Sequence, residues 1–212
     1  MRILYIDTTS NYLYTGIVEE DNLVCEIKKK FDHDLSTMAL SMIAEMFNKN
    51  DIKPIDINKI ILVNGPGSFT GCRIGITIAK VYAWTLNIPI SVISSLEAMA
   101  TTNLEYGFYV PVIDARRDYV YAGIYDNEGN SIMKDQYMKK SVLEMAANGM
   151  TSDYTYITND NLELDGEINS YNPDILKIVE RYKDREDINP HLIDANYLKL
   201  TEAEENLNDR NC

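Results

Sequence analysis

Histidine and cysteine are scarce in this 212-residue sequence, long apolar runs are absent, and basic residues are outnumbered. Each shortage removes a class of function. The two histidines, His33 and His191, fall in no HxxxH or HExxH spacing. A histidine-based metal site or triad would lack its second member, so each reads as an exposed loop residue. The three cysteines, Cys25, Cys72 and Cys212, are odd in number and form no CxxC pair. That argues against a disulfide framework and a cysteine zinc site, and fits a reducing cytoplasm. No segment approaches the roughly 18 uninterrupted apolar residues of a membrane span. The opening "MRILYIDTTSN" holds a short apolar run that meets Asp7, and it reads as a first strand rather than a signal peptide. Lys and Arg total 20 against 33 Asp and Glu, a net charge of −13. Residues 151–212 alone carry 15 acids and 6 bases. Such a surface repels a phosphate backbone, so direct nucleic-acid binding by this chain alone is not expected.

The pattern that is present repeats once. "ILYID", "YLYTGIVEE" and "LVCEIKKK" predict an antiparallel meander. A helix follows in "DLSTMALSMIAEMFNKN", with Asp34 or Ser36 as its N-cap. "INKIILVN" is a buried strand because its apolar residues run without alternation. A helix from Ser68 to Leu86 and a strand at "PISVIS" complete a ribonuclease-H-like order. Near residue 100 it begins again: strands at "YVPVIDA", "DYVYAGIYD" and "NSIMKDQYMK", a helix at "SVLEMAANG", a strand at "YTYITND" and a helix at "DILKIVERYKD". The expected architecture is two-lobed α/β, residues 1–100 and a smaller 101–212. The lobes should meet near residues 95–108, and the acidic tail should end frayed.

"NGPGSFTGCRIGI" at residues 64–76 asks for a phosphate reading. A Walker loop needs Lys-Ser/Thr after the last glycine, and Gly71 is followed by Cys72 and Arg73. A dinucleotide fingerprint needs GxGxxG, and Gly65, Gly67 and Gly71 give GxGxxxG with no acid ending the next strand. What is left is a tight strand-to-helix turn: Gly65 and Gly67 supply unusual backbone angles, and Ser68 caps the helix. Its free N–H groups still make Gly67 and Ser68, with Arg116 from the second half, weak anion-site candidates. Arg116 and Arg117 can hold phosphate or a partner's carboxylate, or sit in a solvated turn.

Two helices carry more apolar surface than one sheet face needs. Gly71, Gly75, Ala79 and Ala83 recur every four residues along one ridge, which invites a close backbone neighbour. Arg73, Thr77 and Lys80, with Trp84, form the narrow opposite stripe. In the preceding helix Met38, Met42 and Met46 align with Leu35, and the apolar arc reaches roughly 200°. Methionines suit an adaptable contact surface. The expected partner interface is therefore Met38, Met42, Met46, Gly71, Arg73, Gly75 and Ala79. Asp7 and Asp114 end the first strand of each half, where actin-like ATPases hold metal and nucleotide, but no glycine stands beside either acid. No catalytic residue, metal ligand or cofactor is expected.

"MRILYIDTTS", "GPGSFTGCRIGI" and "IDARRDYVYAGIY" together resemble the bacterial TsaB (YeaZ) family, collinearly over about the first 125 residues. "NYLK" is similar to the family's closing Tyr-Leu-Arg, with Lys199 replacing arginine. The resemblance implies an actin-like (ASKHA) fold without activity of its own. It implies a heterodimer with the paralogous TsaD through helices corresponding to residues 35–48 and 69–86, with the ATPase TsaE joining. TsaD would transfer threonylcarbamoyl to N6 of adenosine 37 in tRNAs reading ANN codons. Three departures stand out: Leu35-Ser36 where the family often has His-Ser, Asp118 where it usually has Gly, and a short second lobe. The alternatives are a degenerate ATPase or peptidase acting alone, and a homodimer through the same helices.

Overall fold

A computed structural model describes residues 1–101, 107–150 and 153–199. The expected frayed end beyond residue 199, with Cys212, and part of the expected junction between halves lie outside the described residues.

The first half builds the predicted meander, β1 (Arg2–Asp7), β2 (Tyr12–Glu19) and β3 (Asn22–Lys30). Parallel strands β4 (Lys59–Val63) and β5 (Ile90–Ile93) extend it, in the order β3-β2-β1-β4-β5. The second half repeats this with β6 (Phe108–Asp114), β7 (Tyr119–Tyr125), β8 (Ser131–Lys139), β9 (Tyr154–Ile157) and β10 (Ile168–Asn169). Its order is β10-β9-β6-β7-β8. Counted outward from β1 and from β6, the orders and directions coincide: two antiparallel neighbours on one side, two parallel on the other. The architecture is the two-lobed actin-like one, with a second sheet that ends in a two-residue strand.

Period-two alternation decides what each sheet face covers. Leu4 and Ile6 of β1 join the core beneath α1 (Leu35–Lys49) and α2 (Phe69–Leu86). Ile3 and Tyr5 join the core between the sheets, shared with α3 (Ser95–Ala100) and α5 (Ile175–Tyr182). The outer face of the second sheet packs Val110, Val112, Val120 and Ala122 against Leu143 and Ala147 of α4 (Lys140–Asn148).

Several local expectations change. Asp34 precedes α1 in a left-handed conformation (φ 62°) and its side chain caps nothing; its carbonyl instead accepts from Thr37 and Met38. Gly65 has the expected positive φ of 117°, but Gly67 does not. Gly67 is needed because a Cβ there would overlap the carbonyl oxygen of Thr9. α3 was hidden in "SSLEAMA"; Ser94 and Glu97 form a capping box that starts it.

The chain after α5 returns to the first sheet. Ile188 N–H donates to Ile90 O at 2.8 Å, and Asn196 N–H to Asn64 O at 2.9 Å. Lys59, only 7% exposed, holds Asp187 at 2.9 Å and donates to Arg185 O at 2.7 Å. Ile193 is buried in the core under α2.

Candidate functional site

The end of β1 meets the start of α2 in a small-residue joint. The Asp7 carboxylate accepts from Thr9 N–H at 2.8 Å and Thr9 Oγ1 at 2.7 Å. Thr8 Oγ1 donates to Gly71 O at 2.7 Å, and Ser68 N–H donates to Thr9 O at 2.6 Å. Ser68 is the predicted cap: its hydroxyl accepts from Gly71 N–H at 3.2 Å. A Cβ on Gly71 would overlap the Thr8 carbonyl oxygen, and one on Gly75 would lie 2.5 Å from Thr8 Oγ1. The ridge that invites a close neighbour therefore receives one from its own chain. Gly71, Gly75 and Ala79 are buried within this chain and present no surface to another protein in this conformation. Met46 is also buried, and Met42 half-buried. Of the expected interface set, Met38 and Arg73 remain exposed.

This joint forms one wall of a cleft of about 760 Å³ between the two sheets. Gly67 and Ser68 line it from the turn before α2, Arg116 from the β6–β7 turn, and Asp7 and Asp114 from the strand ends. Sequence-distant candidates are thus brought together. Carboxylates share the space: Asp160 accepts from Asp114 N–H at 2.7 Å, and Asp114 from Arg116 N–H at 2.8 Å. Burial raises the pKa of Asp7, against the opposing effect of the Thr9 hydrogen bonds. Desolvation likewise raises that of Asp160. Cys72, behind Gly65, is pushed up to about 12 by burial and by Asp7, so it is an inert thiol at neutral pH. The buried hydroxyls of Tyr5 and Tyr171 lie within electrostatic reach of Asp7, and neither makes a hydrogen bond of good geometry. His33 and His191 are both exposed and neither lines this cleft; His33 sits in a loop as expected, whereas His191 lies in a 3-10 turn against Trp84.

A second feature lies on the opposite face of the first sheet. Phe47 of α1 and Tyr82 of α2 stack at 6.1 Å, closing the seam between the helices. Leu40 and Ala44, four residues apart and so neighbours on one side of α1, are both exposed. Leu40 (52%), Val81 (55%), Phe69 (56%) and Trp84 (69%) are more exposed than Met38 (40%). These larger side chains, rather than the methionines and glycines, carry the surplus apolar surface. Phe69 is joined by Tyr197 (rings 5.6 Å apart) and by Arg73, which lies 3.9 Å over the Phe69 ring and donates to Tyr197 Oη at 3.1 Å. No sequence signal announced that contact, since 124 residues separate its members.

Comparison with known proteins sharpens the reading. Residues 30–171 match the family described as TsaD, tRNA N6-adenosine threonylcarbamoyltransferase. The chain is 34% identical over 221 residues to the tRNA threonylcarbamoyladenosine biosynthesis protein TsaB of Bacillus subtilis strain 168, covering 96% of each. It is 30% identical over 135 residues to the protein of the same name in Escherichia coli K12, covering 62% of this chain and 58% of that one. Among solved structures, YeaZ from Pseudomonas aeruginosa superposes with a TM-score of 0.76 at 19% identity, covering 93% of this chain and 99% of that one. Among the described residues no helix is long and apolar enough to cross a membrane.

Proposed function

The chain belongs to the TsaB (YeaZ) family of tRNA threonylcarbamoyladenosine biosynthesis proteins, and from that premise we propose that it serves as a non-catalytic scaffold for a TsaD-type transferase. The observation that carries this reading is the exposed apolar surface along α1 and α2, where Leu40, Phe69, Val81 and Trp84 are each more than half exposed. Large contiguous apolar patches mark protein contacts. Two such helices side by side offer the ridges and grooves that a second helix pair needs. In this reading the heterodimer forms through α1 and α2, TsaE joins it, and the transferase supplies the chemistry. Residues 1–100 act as the N-terminal lobe and 101–212 as the smaller one, which lends α5 and its last segment back to the first. The site is cytoplasmic, with no cofactor held by this chain alone.

The lack of independent activity is supported by the cleft. Its acids are engaged in local turns, and the side chains that line it include no histidine to act as a general base. The expected interface is revised accordingly, to Met38, Leu40, Phe69, Arg73, Val81 and Trp84. Mixing the protein with the TsaD of its own organism, followed by size-exclusion chromatography with light scattering, tests the proposal. A heterodimer is expected, and it should be lost in Val81→Glu or Leu40→Glu, whose exposed positions leave the fold intact. Separate elution with TsaE, ATP and magnesium present would overturn the scaffold role. Phosphate release above background by the isolated, monodisperse protein would favour the autonomous enzyme instead.

A further inference from the structure

The motif "DARRDYVY" is not used by the interface helices, and the structure places it at the mouth of the cleft. In the second sheet Tyr121 lies opposite both Ile113 and Tyr137, and Tyr119 lies opposite Lys139. Cross-strand partners share a face, so the three tyrosines form one ladder on the side that looks toward the first sheet. Tyr119 and Tyr137 stack at 4.7 Å with planes 13° apart, and Tyr121 meets Tyr137 at 5.6 Å. Tyr121 lines the cleft and rests on the inter-sheet core. Tyr119 and Tyr137 belong to none of the three apolar cores and are only half buried. Packing accounts for the inner ring and not for the outer two.

Cations gather at the same place, in a chain of net charge −13. Lys199 Nζ lies 5.5 Å from the centre of the Tyr137 ring. Lys139 is the exposed cross-strand neighbour of Tyr119. Exposed Arg116 and Arg117 sit in the turn that leads into Tyr119, where φ is 66° and 55°. The acids nearby are Asp118, in the turn; Asp114, whose carboxylate already accepts from Arg116 N–H; Asp160, which accepts from Asp114 N–H; and Asp135 of β8, which is taken up by Ser94 and Tyr125.

We propose that this ladder is a base-stacking platform for a single-stranded loop of the tRNA substrate, engaged when the chain sits in its complex. The inference rests on the scaffold reading above. Aromatic faces accept any base, and flanking Lys and Arg meet the adjoining phosphates. The chain's overall charge keeps RNA away from the isolated protein, so the contact adds to an affinity that the transferase begins.

The test measures binding of a fluorescently labelled, unmodified transcript of an ANN-reading tRNA to the complex of this chain with its TsaD, across a salt series. Complex formation is checked first by size exclusion. Tyr119→Ala should weaken RNA binding about 5- to 100-fold, the range for losing one stacked base. Tyr119→Phe should bind like the wild type. The double variant Lys139→Gln, Lys199→Gln leaves the rings in place and should lower the slope of log affinity against log salt by about 0.7 per lost contact. An intact complex whose affinity and salt slope are unchanged in both Tyr119→Ala and the lysine variant overturns the platform and leaves the scaffold reading standing. Loss of the heterodimer in Tyr119→Ala would assign the ladder to a protein interface and overturn it too. Failure of the wild-type proteins to associate would remove both readings.

Discussion

In the first sheet, β1 is covered on both faces by helices: α1 and α2 lie over Leu4 and Ile6, while α3 and α5 lie over Ile3 and Tyr5. In the second, only the outer face has a helix from its own strand succession, the nine-residue α4. Its inner face, with Tyr109 and Tyr125, shares the core that α3 and α5 also enter. Identical strand order therefore does not mean equal independence. The first sheet borrows α5 from the far end of the chain, and the second borrows its inner cover from the first. A polar tie accompanies the exchange: Asp135 of β8 accepts hydrogen bonds from Ser94, the cap of α3, and from Tyr125. The apolar surplus also differs in kind. The first unit exposes Leu40, Val81 and Trp84 on helices, where a protein partner can pack; the second exposes Ile132 and Met145 and carries half-buried tyrosines stacked on its strands.

The largest test of this contrast is Gly71→Val. The new side chain would overlap the Thr8 carbonyl, a backbone atom that cannot yield without moving β1. Overpacking at such a joint should destabilise by about 3 kcal/mol or more, read as a fall in the denaturant midpoint. A folded, unshifted variant would mean that the β1–α2 joint is looser than it looks. Next is Ile193→Ala. Although residue 193 lies beyond the second sheet, its side chain is 5% exposed in the core under α2. A loss of about 3 kcal/mol is expected. Comparable loss of hydrogen-exchange protection in β4 and β5, rather than in β6–β9, would confirm which sheet it serves.

A smaller effect separates the cleft acids from surface ones. Burial raises the pKa of Asp7, so the folded state binds its proton more tightly than the unfolded chain does. Stability from this group is fully present below the usual carboxylate range and declines as pH rises toward the raised folded value. Asp7→Asn keeps an acceptor for Thr9 and should flatten that decline, visible as a smaller difference in midpoint between pH 4 and pH 7. The smallest expected change is Asp118→Gly. Three successive residues, Arg116, Arg117 and Asp118, have φ between 55° and 66°. Glycine takes such a conformation freely, and a gain of about 0.5 kcal/mol is expected by thermal unfolding.

The sequence made the strand succession legible because buried strands such as "KIILV" and "YLYTGIVE" are short, mostly apolar runs bounded by polar turn residues. It also made the Ser68 cap legible, because a hydroxyl before a helix has one obvious use. It could not say which wall backs a ridge of small residues. Gly75 is compatible with a neighbour from another chain or from this one, and only the position of Thr8 decides. Likewise "HLIDANYLK" reads as tail, since its Leu192, Ile193, Ala195, Tyr197 and Leu198 follow no helix or strand period that would single out Ile193 as a core residue. The meeting of Gly67, Ser68 and Arg116 around one cleft required knowing how the second sheet sits against the first.

The return of residues 185–197 to the first sheet also has a consequence for biosynthesis. A ribosome makes β1 to β5 first, yet Lys59, Asn64 and Lys80 find their last partners in Asp187, Asp194 and Ile193. The earliest-made sheet is thus completed only once residues 185–197 have been added. At about 5–20 residues per second, the interval is several seconds. Throughout it α2 is still without the segment that holds one of its sides, so the scaffold surface proposed for that helix is complete only after that segment has joined it.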